Sequence, residues 1–249
     1  MHVLMFFTYS EVKNINERGS MYYNDYSMDR QVSSFMAGVY GWMSCALMVT
    51  AGAAYYVAIT PAVAHFFFAN SIAMLGLFIG QIALVFAIVA FLPRMNFVSA
   101  LSMFLLYALS VGITSASVFF VFDLGSIIST FLTTAFTFGF MSLYGYVTKT
   151  DLTTMGNMSA MVLMGIVVAM LINMFLQSPR VEYLISVVGV IIFVLLTAYD
   201  TQKIKQIGRS ALDNEMRGKL TIVGALTLYL DFINLFLFLL RFMGKKRED

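Results

Sequence analysis

The chain has 249 residues, of which 60% are hydrophobic and 11% are charged, and its mean hydropathy is +0.86. Because a soluble domain carries about 25% charged residues, this composition excludes an ordinary soluble protein and indicates an integral membrane protein, with the lipid bilayer as its first partner. The net charge of +2 and the short basic loops indicate no nucleic-acid partner. With Cys45 as the single cysteine and only His2 and His65 as histidines, we expect no disulfide, no cysteine–histidine metal site and no resident cofactor.

Residues 1–31 form a polar tail without the basic region and small-residue cleavage site of a signal peptide. Seven apolar segments follow within residues 32–244, and residues 245–249 form a short charged tail. A bilayer core of about 30 Å needs roughly 20 apolar residues in a helix, and only helices and closed barrels satisfy their backbone groups in lipid. The continuous runs therefore predict an all-α, integral membrane bundle of seven helices in one domain. The segments lie near 34–58, 71–92, 98–120, 127–147, 157–176, 183–206 and 220–241.

The distribution of lysine and arginine favours an amino terminus in the cytoplasm. That orientation places ten basic residues on the inner side and five on the outer side. The carboxyl tail GKKRED conflicts with it, because the tail then lies outside. A re-entrant last segment would return the tail to the cytoplasm, but residues 220–240 have spanning length, and we expect a full span.

Small residues at helical spacing predict close helix contacts in the first two segments. Gly38 and Gly41 lie near one another on the first segment, and Gly76 and Gly80 form a GxxxG on the second. Because this motif is common in membrane helices, it indicates packing and carries no information about function.

Few polar side chains fall inside the predicted spans, apart from scattered Ser and Thr. They are Gln81, Asn173, Asp200, Asp231 and Asn234. We expect Gln81 and Asn173 to form hydrogen bonds between helices. Asp231 is different, because it lies near the middle of the last segment, where an ionisable group costs about 2.5 kcal/mol or more. Such a cost indicates a partner or a pathway.

Asp200 and Asp231 are the candidate functional groups. Asp200 lies near the inner end of the sixth segment, and Asp231 lies about 16 Å of helix from the start of the seventh. The two side chains can therefore meet in the inner half of the membrane if these helices are neighbours. Taken alone, Asp200 is also explained as a solvated ion pair with Lys203, three residues later.

Two carboxylates close together in a medium of low dielectric cannot both ionise cheaply, so they share a proton. Such a pair is a natural pH sensor, and its oxygens suit Ca²⁺ when both acids are deprotonated. Asn234, three residues after Asp231 on the same helical face, can orient that carboxylate or add an amide oxygen. Arg94, in the turn LPRMN, is the candidate cation that locks the pair, with a plain positive-inside anchor as the alternative.

Four segments carry a resemblance to a known family. VYGWM (39–43), MSLYGYVTKTDL (141–152), LTAYDTQKIK (196–205) and GALTLYLDFINLFLFLLRFMG (224–244) resemble the transmembrane Bax inhibitor motif family in its bacterial branch. The resemblance implies a multi-pass protein of the bacterial inner membrane whose last helix lies in the centre of the other six. It also implies a Ca²⁺ leak that pH controls through two aspartates, which match Asp200 and Asp231. The family's latching arginine matches Arg94, although this turn has a single arginine after Pro93 where relatives can carry several basic residues.

Two other functions were weighed against the leak. Intramembrane aspartyl proteases also place two aspartates on successive helices, one of them in a Tyr-Asp pair. Their second acid needs a GxGD context and a later Pro-Ala-Leu segment, whereas Asp231 sits in LYLDF and no proline follows Arg180. We therefore expect no enzyme. A membrane protein that modulates a membrane protease or another protein partner, without transport of its own, remains an open alternative.

Overall fold

The computed structural model describes residues 21–210 and 214–247, with side chains from residue 28 onward. Most of the predicted tail of residues 1–31 lies outside the described residues, and the first helix begins at Met21. A 3₁₀ turn, Leu92–Arg94, follows the third helix. The helices are α1 (Met21–Ile59), α2 (Pro61–Ala69), α3 (Ser71–Phe91), α4 (Phe97–Ser115), α5 (Val118–Val121), α6 (Leu124–Val147), α7 (Thr153–Leu176), α8 (Pro179–Gly208) and α9 (Asn214–Met243).

Seven of the described helices are long and apolar enough to cross a membrane, which confirms the predicted seven-helix bundle. One connection differs from the prediction, because Pro61–Ala69 forms the short helix α2 instead of a loop. Proline stands at the first helical position, where its missing N–H leaves no hydrogen bond unmade and its fixed φ favours a helical start.

Polar caps start the spans at three tight connections. Asn70, Asn96 and Asp123 each accept a hydrogen bond through a side-chain oxygen from a backbone N–H two or three residues later. Asparagine and aspartate are favoured at this position because they satisfy N–H groups that the helix itself cannot. The chain therefore reverses within a few residues, and consecutive spans lie antiparallel.

The last helix, α9, is the most enclosed of the seven spans. It packs against α1, α4, α6 and α8. In its most apolar 18-residue stretch 61% of the residues are buried, against 6% in α3. Since α9 carries Asp231, this central position removes that carboxyl group from lipid.

Two glycines let α6 and α7 approach α8. A Cβ atom at Gly145 would overlap the backbone carbonyl of Ala198, and one at Gly156 would overlap the ring of Tyr199. Both contacts fall on the two residues that precede Asp200. Glycine at these positions therefore sets the distance of α6 and α7 from the α8 segment that carries the acid.

The glycines that the sequence singled out pack less closely. A Cβ atom at Gly38 would lie 3.1 Å from the Thr221 methyl group. Nothing lies within 4 Å of such an atom at Gly41, Gly76 or Gly80. The predicted close contact at the GxxxG is therefore wrong within this chain, because the motif lies on the outer face of α3.

The carboxyl-terminal residues lie at the end of the bundle opposite Arg94. Asp123 N donates to Lys245 O and Arg247 N donates to Val121 O, each at 3.0 Å. Val121 and Arg94 lie at opposite ends of the α4–α5 segment. Helix α9 therefore runs the whole length of the bundle, which supports the full-span prediction over the re-entrant alternative.

Candidate functional site

Asp200 and Asp231 lie on two helices that pack against each other, α8 and α9. Their two carboxyl groups lie within hydrogen-bonding reach of each other. Because an ionised carboxylate has only acceptors, this contact needs a proton on one of the two groups. Asp231 is 4% exposed, whereas Asp200 is partly exposed. The structure thus brings together the two acids that the sequence predicted as a pair.

The surroundings of Asp231 offer no compensation for a full negative charge. Its Oδ2 atom is buried, and no hydrogen-bond donor among the described residues reaches it. The ion pair found in the described part of the chain joins Lys219 and Glu215 at 2.8 Å, within α9 itself. Removing a charge from water without a partner costs several kcal/mol. Two full negative charges at this site are therefore costly.

A polar clamp, formed by Gln202 on α8 with Thr150 and Leu152, holds the α6–α7 connection beside the acid pair. Gln202 Nε2 donates to Thr150 O at 2.8 Å, and Leu152 N donates to Gln202 Oε1 at 3.0 Å. Lys205 also donates to the Tyr146 carbonyl at the end of α6. Sequence reasoning missed Gln202 and Lys205, because polar residues at the end of a span resemble ordinary solvated ones. Their spacing of two and five residues from Asp200 was the available signal.

Hydroxyl groups lie one residue from the pair. Thr201 Oγ1 on α8 donates to Ser142 Oγ on α6 at 3.2 Å, and both side chains are buried. These oxygens are neutral and can bind water or a cation without adding charge. Since Thr201 directly follows Asp200, this bond ties α6 to α8 next to the residue that carries the acid.

Arg94 and Asn234 do not contact the pair in this structure. Arg94 is exposed in the 3₁₀ turn, and no ion pair in the described part of the chain joins it to Asp200 or Asp231. Asn234 Nδ2 donates to Leu230 O, one turn earlier in α9, at 2.8 Å. The latch role of Arg94 and the supporting role of Asn234 remain predictions. No ion pair between Asp200 and Lys203 occurs among the described residues either.

Gln81 and Asn173 were both predicted to form hydrogen bonds between helices, and only Gln81 does so. Gln81 Nε2 on α3 donates to Ser110 O on α4 at 2.9 Å, which confirms the predicted contact between helices. The prediction for Asn173 is wrong, because its Oδ1 accepts from Ser178 N at 3.1 Å. Asn173 lies in the last turn of α7, where the chain turns back through Gln177 at φ +48°. It therefore caps its own helix end.

Asp200 and Asp231 alone do not make a complete metal site. In the residues that the structure describes, no group of three or more His, Cys, Asp or Glu side chains lies close enough to hold a metal. Ca²⁺ takes roughly six to eight oxygen ligands, so Asp200 and Asp231 would supply part of the shell and hydroxyls, carbonyls or water the rest.

A bundle of seven candidate spans, with two acids close together on its last two helices, defines a multi-pass membrane protein. The family described as "Inhibitor of apoptosis-promoting Bax1" matches residues 32–248. The chain belongs to this family, in its bacterial branch.

Relatives match nearly the whole bundle. The inner membrane protein YbhL of Escherichia coli strain K12 is 47% identical over 218 residues, which cover 87% of this chain and 93% of that protein. An uncharacterized protein of Borreliella burgdorferi is 43% identical over 218 residues, with 87% and 94% covered. One of Deinococcus radiodurans is 40% identical over 218 residues, with 88% and 93% covered.

Proposed function

We propose that this protein is a pH-sensitive Ca²⁺ leak channel of the bacterial inner membrane, gated by Asp200 and Asp231. The close approach of these two carboxyl groups carries the proposal. With one proton shared, the pair holds α8 and α9 together. Loss of that proton leaves two like charges in contact in a medium of low dielectric, where their repulsion is strong. The repulsion separates the helices and exposes the oxygen ligands to a cation.

The proposal includes a location and an orientation. The printed name of the Escherichia coli relative supports the inner membrane, and the excess of basic residues on one side supports an amino terminus in the cytoplasm. In this orientation the acid pair lies nearer the cytoplasm, so cytoplasmic pH sets its protonation. Ca²⁺ is the cargo, and the proposal requires neither a catalytic reaction nor a resident cofactor.

Calcium entry into liposomes that hold a trapped dye tests the proposal. We compare about pH 6 with about pH 8, on either side of neutrality where a shared proton is released. The wild type is expected to leak faster at the higher pH, and Asp200→Asn and Asp231→Asn are expected to remove this dependence. Asp151→Asn is the matched control, because Asp151 is an exposed acid in the α6–α7 connection.

Two results would overturn the proposal. One is a wild-type signal equal to that of empty liposomes at both pH values. The other is a pH dependence that survives in both Asp200→Asn and Asp231→Asn. The first result would favour the alternative in which the protein regulates a membrane partner without transport.

A further inference from the structure

Aromatic rings of α6 and α9 meet directly beside the acid pair. The ring centroids of Phe138 and Phe232 lie 5.4 Å apart, edge to face, and Phe131 contacts Phe232 at 5.5 Å. Phe138 and Phe232 are 5% and 4% exposed. Since Phe232 directly follows Asp231 in α9, these rings lie within one helical turn of that acid.

The face of α6 that carries Phe138 is polar on both sides of this ring. Ser142 lies one turn away on one side and is hydrogen-bonded to Thr201. Thr134 and Thr130 lie one and two turns away on the other side, and their exposed fractions are 0% and 1%. The spacing of four residues places all of these side chains along one stripe of the helix. The stripe is therefore a polar line that a single aromatic contact interrupts.

Two buried polar atoms lack a hydrogen-bond partner along this line. Thr134 Oγ1 donates to the Thr130 carbonyl, but Thr130 Oγ1 has no partner among the described residues. Asp231 Oδ2 lacks a partner in the same way. An unmatched polar atom inside a bilayer costs several kcal/mol unless water or an ion reaches it. The unmatched atoms therefore lie on the same two helices, α6 and α9, that form the Phe138–Phe232 contact.

We infer that ions cross along the α6–α9 contact and that Phe138 and Phe232 form its closed gate, an inference that rests on the proposed leak function. A constriction lined by apolar rings excludes water, and a bare cation cannot enter it. Repulsion between the deprotonated acids displaces α9, and this movement widens its ring contact with α6, so water connects Ser142 with Thr134. The acid pair is the sensor, and the rings are the barrier.

Two substitutions of one residue separate gating from packing. Phe138→Thr and Phe138→Val leave the same space, because threonine and valine have nearly the same shape and differ in a hydroxyl group. A hydroxyl group lowers the free energy needed to place water in the constriction. Phe138→Thr is therefore expected to leak roughly tenfold faster than Phe138→Val. Any loss of folding through the smaller side chain lowers both variants alike.

A second phenylalanine provides the matched control. Phe193 is 5% exposed, as is Phe138, and it stacks on Phe238 with 5.7 Å between ring centroids. This stack joins α8 to α9, and no ring contact among the described residues joins it to α6. Phe193→Thr and Phe193→Val are therefore expected to leak at equal rates. If Phe138→Thr and Phe138→Val also leak at equal rates, the gate inference is overturned. This conclusion holds even if the wild type leaks in the proposed pH-dependent way.

Water access to Ser142 tests the pathway without Ca²⁺. In a Cys45→Ala background, Ser142→Cys is exposed to a membrane-impermeant thiol reagent from the side where α6 begins. Labelling is expected to be much faster when Phe138→Thr is added, and Phe193→Thr is expected to have no effect. If the labelling follows this pattern but no variant conducts Ca²⁺, the leak proposal fails while the water path stands. Labelling that ignores Phe138 overturns the inference.

Discussion

At the scale of single residues, Tyr229 fixes the position of the acid pair along the axis of the bundle. It is 0% exposed, two residues before Asp231, and its hydroxyl lies 2.6 Å from Thr50 Oγ1 on α1. Thr50 Oγ1 donates its own proton to Ala108 O on α4 at 2.9 Å. Tyr229 is therefore the donor to Thr50, and one short chain of hydrogen bonds ties α9 to α1 and α4.

Tyr229→Phe removes this donor and leaves the packed ring in place. We expect a loss of about 1 kcal/mol of folding free energy, the usual net value of a hydrogen bond. Thermal unfolding in detergent measures it as a melting temperature lowered by a few degrees. Tyr183→Phe, whose side chain is 53% exposed, is the control and should melt as the wild type does. An unchanged Tyr229→Phe would mean that the chain of hydrogen bonds contributes nothing to stability.

Asp151 cannot supply a pH response near neutrality. The Thr153 side-chain hydrogen bond, the Thr153 backbone N–H and nearby Lys203 hold the pKa of Asp151 below its usual value. Since the folded-state pKa is lowered, the carboxylate stabilises the folded protein above about pH 4 and loses this effect as pH falls further. Asp151 therefore stays ionised at the pH values used for the flux test, which is why it serves as the control acid.

Thr153→Ala removes the first of these contacts. We expect the pKa of Asp151 to rise toward its usual value, because only the backbone hydrogen bond and Lys203 remain. The ¹³C chemical shift of the Asp151 carboxyl group, followed against pH in micelles, measures the change. Thr153→Ser keeps the hydroxyl and should keep the low pKa. Identical titrations for the alanine and serine variants would assign the effect to the backbone alone.

Sequence and structure differ most for polar residues near helix ends. Asp231 could be predicted as a special residue, because an acid in mid-span has no inexpensive explanation. Gln202 could not, because its partners, Thr150 and the Leu152 N–H, lie about 50 residues earlier, and periodicity carries no information about such pairs. Asn173 was misassigned for a related reason, since a boundary error of a few residues separates a cap from an interhelical contact.

At the scale of helices, α8 organises the inner half of the bundle. Gly145 of α6 meets the Ala198 carbonyl and Gly156 of α7 meets the Tyr199 ring, while Asp200 meets α9. Three neighbours thus contact three successive residues of α8. A change in any of these contacts moves the acid pair relative to the rings of α6 and α9.

Gly145→Ala is expected to destabilise the protein by roughly 1–3 kcal/mol, as other overpacked sites do. The added methyl group meets backbone atoms, which cannot rotate away, so α6 must move from α8. Gly76→Ala is the control, because a Cβ atom there meets nothing within 4 Å. The melting temperature should fall for Gly145→Ala and stay equal or rise for Gly76→Ala. Equal melting of the two variants would contradict the close approach of α6 and α8.

Gly145 and Gly156 also show which features of helix packing a sequence can predict and which it cannot. The seven spans and their order follow from the lengths of the apolar runs, because each run must match the thickness of the bilayer. This prediction needs no knowledge of which helices are neighbours. The choice of Gly145 and Gly156 as contact sites depends on which helix lies opposite. The Gly76–Gly80 motif looks stronger in sequence and contacts nothing within the chain. Helix α2 was missed because nine residues are too few for a periodic signal.

At the scale of the whole molecule, the described residues contain seven candidate spans, and this odd number predicts that the start of α1 and the end of α9 lie on opposite sides of the membrane. The basic tail after Met243 therefore faces the side that the positive-inside rule disfavours if the amino terminus is cytoplasmic. Backbone hydrogen bonds from Asp123 and Arg247 hold this tail against the start of α6. Its position is consistent with a rule that weighs the charges near early helices more than those after the last one.

Alkaline phosphatase, which is active only outside the cytoplasm, tests this topology. Fused after residue 249 it is expected to be active, because α9 crosses the full bundle from Asn214 to Met243. Fused after Ser210, in the connection between α8 and α9, it is expected to be inactive. The reverse pattern would place the acid pair near the outer surface, so that external pH sets its protonation. Activity at neither position would mean that the last helix does not cross the membrane.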